Sequence, residues 1–99
     1  MILTTTNSIE GFKTQDYLGI VTGVNVSMPK ASFSFNMKKY YESYENKINE
    51  VKEVAFQKLK YNAVALKANA VLGIKIDIET SPSTGIIMIS ITGTAVKVN

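Results

Sequence analysis

Two hydrophobic periods meet in this chain, and their order constrains the fold more than any other feature. Tyr44, Ile48, Val51, Ala55, Leu59, Ala63 and Leu66 recur at steps of three and four, with Glu45, Lys47, Glu50, Lys52, Glu53, Lys58 and Lys60 between them. That spacing predicts one long amphipathic helix starting near Met37, with one buried and one wet face. Beyond the helix the period drops to two. Leu72, Ile74, Ile76 and Ile78 alternate with Gly73, Lys75, Asp77 and Glu79, and Ile87, Ile89 and Ile91 continue a dry face to Gly93. Ser81-Pro82-Ser83-Thr84-Gly85 supplies turn chemistry between them, so the two runs form a hairpin. Ninety-nine residues fit a single domain, residues 1–99.

Ahead of the helix, residues 2–5 read as a short strand, and Asn7-Ser8 and Gly11 mark a turn region. Thr14 to Val26 is rich in β-branched residues and reads as a second strand, in which Gly19 and Gly23 point to a bulge or a close backbone approach. Ser32 to Phe35 alternates like a short edge strand within an otherwise irregular stretch. The expected fold is therefore α+β: a twisted, mainly antiparallel sheet with one long helix, in the order β-β-α-β-β. Asn36 and Ser43 both suit the helix N-cap, and Asn69 suits a left-handed C-cap. Tyr40, Val54, Phe56 and Tyr61 lie off the helical stripe, and Ile86, Met88 and Val96 lie on the face of the last strand opposite its isoleucines. One helix covers one side of a sheet, so the remaining apolar surface predicts self-association.

Cysteine, histidine and tryptophan are absent. Thiol catalysis, disulfides, imidazole acid–base chemistry and His/Cys zinc sites are thereby excluded. The net charge is +3 and every basic residue is a lysine. Without the planar guanidinium that reads base edges and clamps phosphates, and with Lys38-Lys39 as the longest basic run, nucleic acid is set aside as a partner. The start has no positive n-region, and the longest apolar run, Gly85 to Ile89, is too short to span a bilayer. A cytoplasmic protein without a membrane partner is expected.

Three constellations could carry chemistry. Asp77 and Glu79 stand two apart on one strand, so both carboxylates share a face and could meet a hard cation, although such a site wants more carboxylates and the plainer reading is a solvated face neutralised by Lys75. Met1, Met28, Met37 and Met88 are far apart, and Met88 is better explained as core. Serines and threonines abound without a histidine to activate them, and the Asp16-Tyr17 pair reads as a surface hydrogen bond; no enzyme and no cofactor are expected. Lys30, Ser32, Phe33, Ser34, Phe35 and Asn36 place an ammonium, hydroxyls, an amide and two rings in one short segment. Rings stack on a planar base, and the polar groups suit a phosphate or another anion, with Thr4, Thr5, Thr6 and Asn7 as further neutral donors. Alternatively, the two rings dock on the core or on a neighbouring subunit. The ligand expected is small, anionic and nucleotide-like.

Ala68-Asn69-Ala70-Val71-Leu72-Gly73-Ile74 with Asp77, the hairpin end Thr92-Gly93-Thr94-Ala95-Val96, and the start Thr4-Thr5-Thr6-Asn7-Ser8-Ile9-Glu10-Gly11 with Tyr17, Gly19 and Val21-Thr22-Gly23 together resemble the YbjQ-like family. The resemblance implies a β-β-α-β-β subunit assembled as a ring-like homopentamer through added strand contacts. The family has no established activity and is often labelled heavy-metal-binding; with no thiolate in the chain, that label finds no soft ligand set here. The chain departs from the family pattern at Lys67, where a glycine is usual, and in residues 24–40, which are shorter and different. The resulting expectation is a non-catalytic homo-oligomer that binds or sequesters a small anionic ligand at subunit interfaces. A scaffold ring presenting surfaces to a larger partner, or a metal-ion-binding protein as the family label has it, are the alternatives.

Overall fold

A computed structural model describes the backbone of residues 1–28, 37–81 and 83–99, and the side chains of these residues except 37–43. Alternation places strands β1 (Ile2–Leu3), β2 (Thr14–Ser27), β3 (Ala70–Ser81) and β4 (Ile86–Val98), and the three-to-four period places helix α1 (Met37–Ala65) between β2 and β3. The spatial order is β1-β3-β4-β2. β4 is antiparallel to both β2 and β3, whereas β1 runs parallel to β3, so the sheet is mixed. The regular first strand is shorter than the expected 2–5, although the segment stays beside β3: the Thr4 N–H donates to Val71 O at 3.0 Å, and the Thr4 and Thr6 hydroxyls lie 2.7 Å apart.

α1 lies on one face of the sheet. Val51, Ala55, Leu59 and Ala63 pack on Val21, Val71, Ile74, Ile87, Ile89, Ile91 and Ala95 to form the main core, with Tyr44, Ile48 and Phe56 half-buried at its margin. Leu59 is fully buried, which contributes about 2 kcal/mol. Gly23 makes the close packing possible: a Cβ there would overlap the Ala55 carbonyl oxygen and come within 2.7 Å of the Leu59 nitrogen. Both readings of the β2 glycines are thus realised, since the register also shifts between Tyr17 and Gly19. Leu66, the last residue of the predicted stripe, is instead exposed, because the helix has already ended.

That end is a Schellman turn. The Lys67 N–H donates to Val64 O at 2.8 Å and the Ala68 N–H to Ala63 O at 3.1 Å, with Lys67 at φ 64°. The left-handed cap is therefore Lys67 and not Asn69. Asn69 closes the end of β4 instead: its side-chain amide donates to Val98 O and accepts from the Val98 N–H, each at 2.8 Å. Ser43 lies inside α1 and is excluded as the N-cap, while Asn36 falls outside the described residues.

β3 does not keep one dry face throughout. Its register against β4 shifts between Leu72 and Lys75, where Gly73 takes φ 60° and the two-residue step Gly73-Ile74 sits beside Gly93. The bulge sends Leu72 to the face opposite Ile74, where Ala70, Leu72, Val96 and Val98 form a second small core under Ile9. The N-terminal segment lies beside this bulge, with the Gly73 N–H donating to Thr6 O and the Ile74 N–H to Thr4 O. The resulting molecule is long, 55 × 22 × 17 Å, with a radius of gyration of 16.6 Å. A compact domain of this length has about 13 Å.

Candidate functional site

Ile9 and its neighbours cover only one end of the face away from the helix. Along the rest, the register sets Ile20, Thr22, Val24 and Val26 of β2 opposite Thr94, Thr92, Ser90 and Met88 of β4. Lys75, Asp77 and Glu79 of β3 lie opposite Thr92, Ser90 and Met88 and extend the same face. Ile20 is 80% exposed, Val26 50% and Val24 40%. Tyr17, which sits opposite Val96 at the strand's other end, is 70% exposed, so the Asp16-Tyr17 pair occupies open surface. Met88 belongs to this open face and is half-buried; it is not part of the main core. The strand period that buries Ile87, Ile89 and Ile91 necessarily turns their neighbours outward.

The sheet's two edges differ. On β2, side chains from α1 reach the outer carbonyls: Asn62 Nδ2 donates to Thr22 O at 2.8 Å, and Lys58 Nζ to Val24 O at 3.0 Å and to Asn25 Oδ1 at 3.3 Å. Asn25 Nδ2 returns a bond to Val51 O at 3.4 Å. Between this latch and Tyr61 runs a shallow groove of about 420 Å³, lined by Thr22, Val24, Val54, Lys58 and Asn62. On β3, the N-terminal segment pairs no further than Ile74, and the edge from Lys75 to Ser81 has no described neighbouring strand. Ile76 and Ile78 on that edge are 38% and 49% exposed. Sequence reading placed Lys58 on the wet face of the helix and gave no latch role to it, to Asn25 or to Asn62.

Lys30, Ser32, Phe33, Ser34, Phe35 and Asn36 lie outside the described residues, as does the Ser32–Phe35 alternation. The described strand before them ends at Ser27, opposite Ile87. Beside that end is a depression of about 380 Å³ lined by Val26, Glu79, Ser81, Thr84, Ile86 and Met88. Thr4 and Thr6 are elsewhere, at the level of Val71 and Gly73 near the far end of β4, roughly 20 Å away along the strand. They brace the bulge and are not donors beside Ser27: the Thr6 hydroxyl donates to Ser8 O at 2.6 Å, and its N–H to Thr4 Oγ1.

The comparisons agree with this architecture. A family model described as "Putative heavy-metal-binding", YbjQ, matches residues 1–99. The chain belongs to the YbjQ family. It is 41% identical to a "UPF0145 protein" of Geobacillus thermodenitrificans and 40% identical to one of Clostridium kluyveri, in each case over 99% of both chains. A crystal structure from Pediococcus pentosaceus, described as a protein with unknown function of the DUF74 family, superposes with a TM-score of 0.74 over 100% of this chain and 98% of that one. At 22% identity it speaks for the fold alone.

The YbjQ family description raises a metal, and the side chains give it little to hold. Asp77 and Glu79 do share a face, opposite Ser90 and Met88, as their spacing requires. Both are exposed, and among the described residues no three of His, Cys, Asp or Glu come together. A soft heavy metal wants thiolate or imidazole, which the sequence lacks, and a hard cation wants six or more oxygens. The residues present do not fit the metal of the family's description. No described helix is long and apolar enough to cross a membrane.

Proposed function

We propose that this YbjQ-family chain is a non-catalytic, self-associating binding protein. Copies join through the open sheet face, and residues 30–36 supply groups for a small anionic, nucleotide-like ligand where subunits meet. The observation that carries the association is the uncovered apolar band of Ile20, Val24 and Val26 on an elongated subunit. Bands of this kind on small domains mark interaction surfaces. A ring-like homopentamer is the form the family resemblance implies. The ligand half rests on composition: Phe33 and Phe35 for stacking, with Lys30 and the hydroxyls of Ser32 and Ser34 for charge and hydrogen bonding.

Two variants test the two halves by native mass spectrometry. Ile20→Asp combined with Val24→Asp disperses the assembly while the far-ultraviolet circular dichroism is unchanged; an assembly that survives refutes association through this face. Lys30→Ala with Phe33→Ala keeps the assembly and loses a retained small-molecule mass; a mass that persists refutes the ligand assignment. An assembly that never retains such a mass favours a scaffold over a ligand store.

A further inference from the structure

We propose that the depression at the turn end of the open sheet face seats the base of the bound nucleotide, and that its Glu79 carboxylate selects a guanine. The inference rests on the nucleotide-like ligand proposed above and names its base. It begins from the register. Glu79 of β3 and Val26 of β2 both lie opposite Met88 of β4, so the three side chains form one row across the open face. One step nearer the turn, Ser81 lies opposite Ile86. Val26 and Glu79 stand two strand spacings apart, roughly 10 Å, and the two rows are roughly 7 Å apart. One fused pair of planar rings covers such a floor, which lies in the depression of about 380 Å³.

The centre of the depression is apolar and its rim is polar. Met88 and Ile86 are both half-buried, and Val26 beside them is 50% exposed. A thioether makes favourable contacts with an aromatic ring, so a base laid flat gains from Met88 as well as from the two aliphatic side chains. At the rim, Thr84 Oγ1 already accepts the Ile86 N–H at 3.4 Å, and the Ser81 and Ser83 hydroxyls lie 3.3 Å apart. Glu79 differs from these. It is exposed, and among the described residues no cation or hydrogen-bond donor meets its carboxylate. Lys75, on the same face four residues back, has its Cα about 13 Å away along the strand.

An ionised carboxylate only accepts hydrogen bonds, through two oxygens side by side. It therefore suits a ring edge that presents two neighbouring N–H donors. Guanine has that edge, in its ring N1–H and its amino group. Adenine and cytosine set a ring-nitrogen acceptor beside their amino group, and uracil flanks its one N–H with carbonyls, so each turns a lone pair toward the carboxylate. The same negative charge repels a phosphate, which fixes the orientation with the base on Glu79 and the phosphate on the lysine side. Lys30 and Phe33 follow Met28 by two and five residues, at most about 7 and 18 Å of chain, so the length of chain allows both to reach the ligand. Val26 also ends the exposed band of Ile20 and Val24, so the seat borders the proposed contact between copies.

Base preference tests it. Guanosine monophosphate and adenosine monophosphate are titrated calorimetrically into the full chain, into Glu79→Gln and into Lys30→Ala with Phe33→Ala, with circular dichroism as the fold control. The full chain should bind the guanine nucleotide about ten-fold or more tighter than the adenine one. Glu79→Gln should weaken the guanine nucleotide about ten-fold and leave the adenine nucleotide within about three-fold, which removes the preference. Lys30→Ala with Phe33→Ala should weaken both nucleotides alike and keep the preference. Nucleotides that bind without favouring guanine, or a preference that survives Glu79→Gln, overturn the base seat and leave the nucleotide reading standing. A folded full chain that binds neither nucleotide overturns both.

Discussion

Along β2 the helix hands hydrogen-bond donors to the outer carbonyls, Asn62 to Thr22 and Lys58 to Val24, whereas along β3 the N-terminal segment stops at Ile74 and the next seven residues have no neighbouring strand among the described residues. The same sheet is therefore sealed on one side and open on the other. α1 packs chiefly on β2 and β4, and Ile76 and Ile78 of β3 stay 38% and 49% exposed. The contrast shows how a domain with one helix leaves part of its apolar surface exposed: the face under the helix is dry, and the far edge and open face carry the remainder.

The largest way to break this contrast is to lift the helix off β2. Gly23→Val places side-chain atoms against the Ala55 carbonyl and the Leu59 backbone. It should cost about 3 kcal/mol or more, read by urea unfolding. A cost below about 1 kcal/mol would show that α1 does not pack as described. A smaller perturbation unseals the edge without moving the helix. Asn62→Ala together with Lys58→Met should cost about 0.5–1.5 kcal/mol and make the chain more prone to higher assemblies at raised concentration in light scattering, because the β2 carbonyls are freed. Unchanged scattering would mean that the latch does not guard the edge. The smallest change sharpens the account without touching either edge. Lys67→Gly relieves a left-handed backbone at the end of α1 and should stabilise the chain by about 1 kcal/mol, with the same assembly state.

Much of this was readable from residue spacing. The helical stripe from Tyr44 to Ala63, the hairpin at Ser81–Gly85 and the two roles of the β2 glycines follow from periodicity and from the sterics of a missing Cβ. The bulge at Gly73 was not readable, because Leu72, Ile74, Ile76 and Ile78 alternate without a break in sequence, and only the insertion against Gly93 sends Leu72 to the other face. Nor was the cap: Asn69 has the better intrinsic preference, but the Schellman bonds place the left-handed residue at Lys67, and Asn69 serves β4 instead. The edge latch escaped for a related reason. Asn25, Lys58 and Asn62 look like ordinary surface polarity until the strand and helix are set side by side. For the candidate site, spacing correctly gave Asp77 and Glu79 one face and gave the apolar excess, whereas Lys30 to Asn36 lie outside the described residues.

The measurement that bears most directly on the central claim is native mass spectrometry of the unaltered chain at micromolar concentration in moderate salt. An elongated subunit with Ile20 80% exposed should run as a discrete oligomer, with monomer as the minor species. A chain that stays monomeric there, folded and unaggregated, would contradict the account.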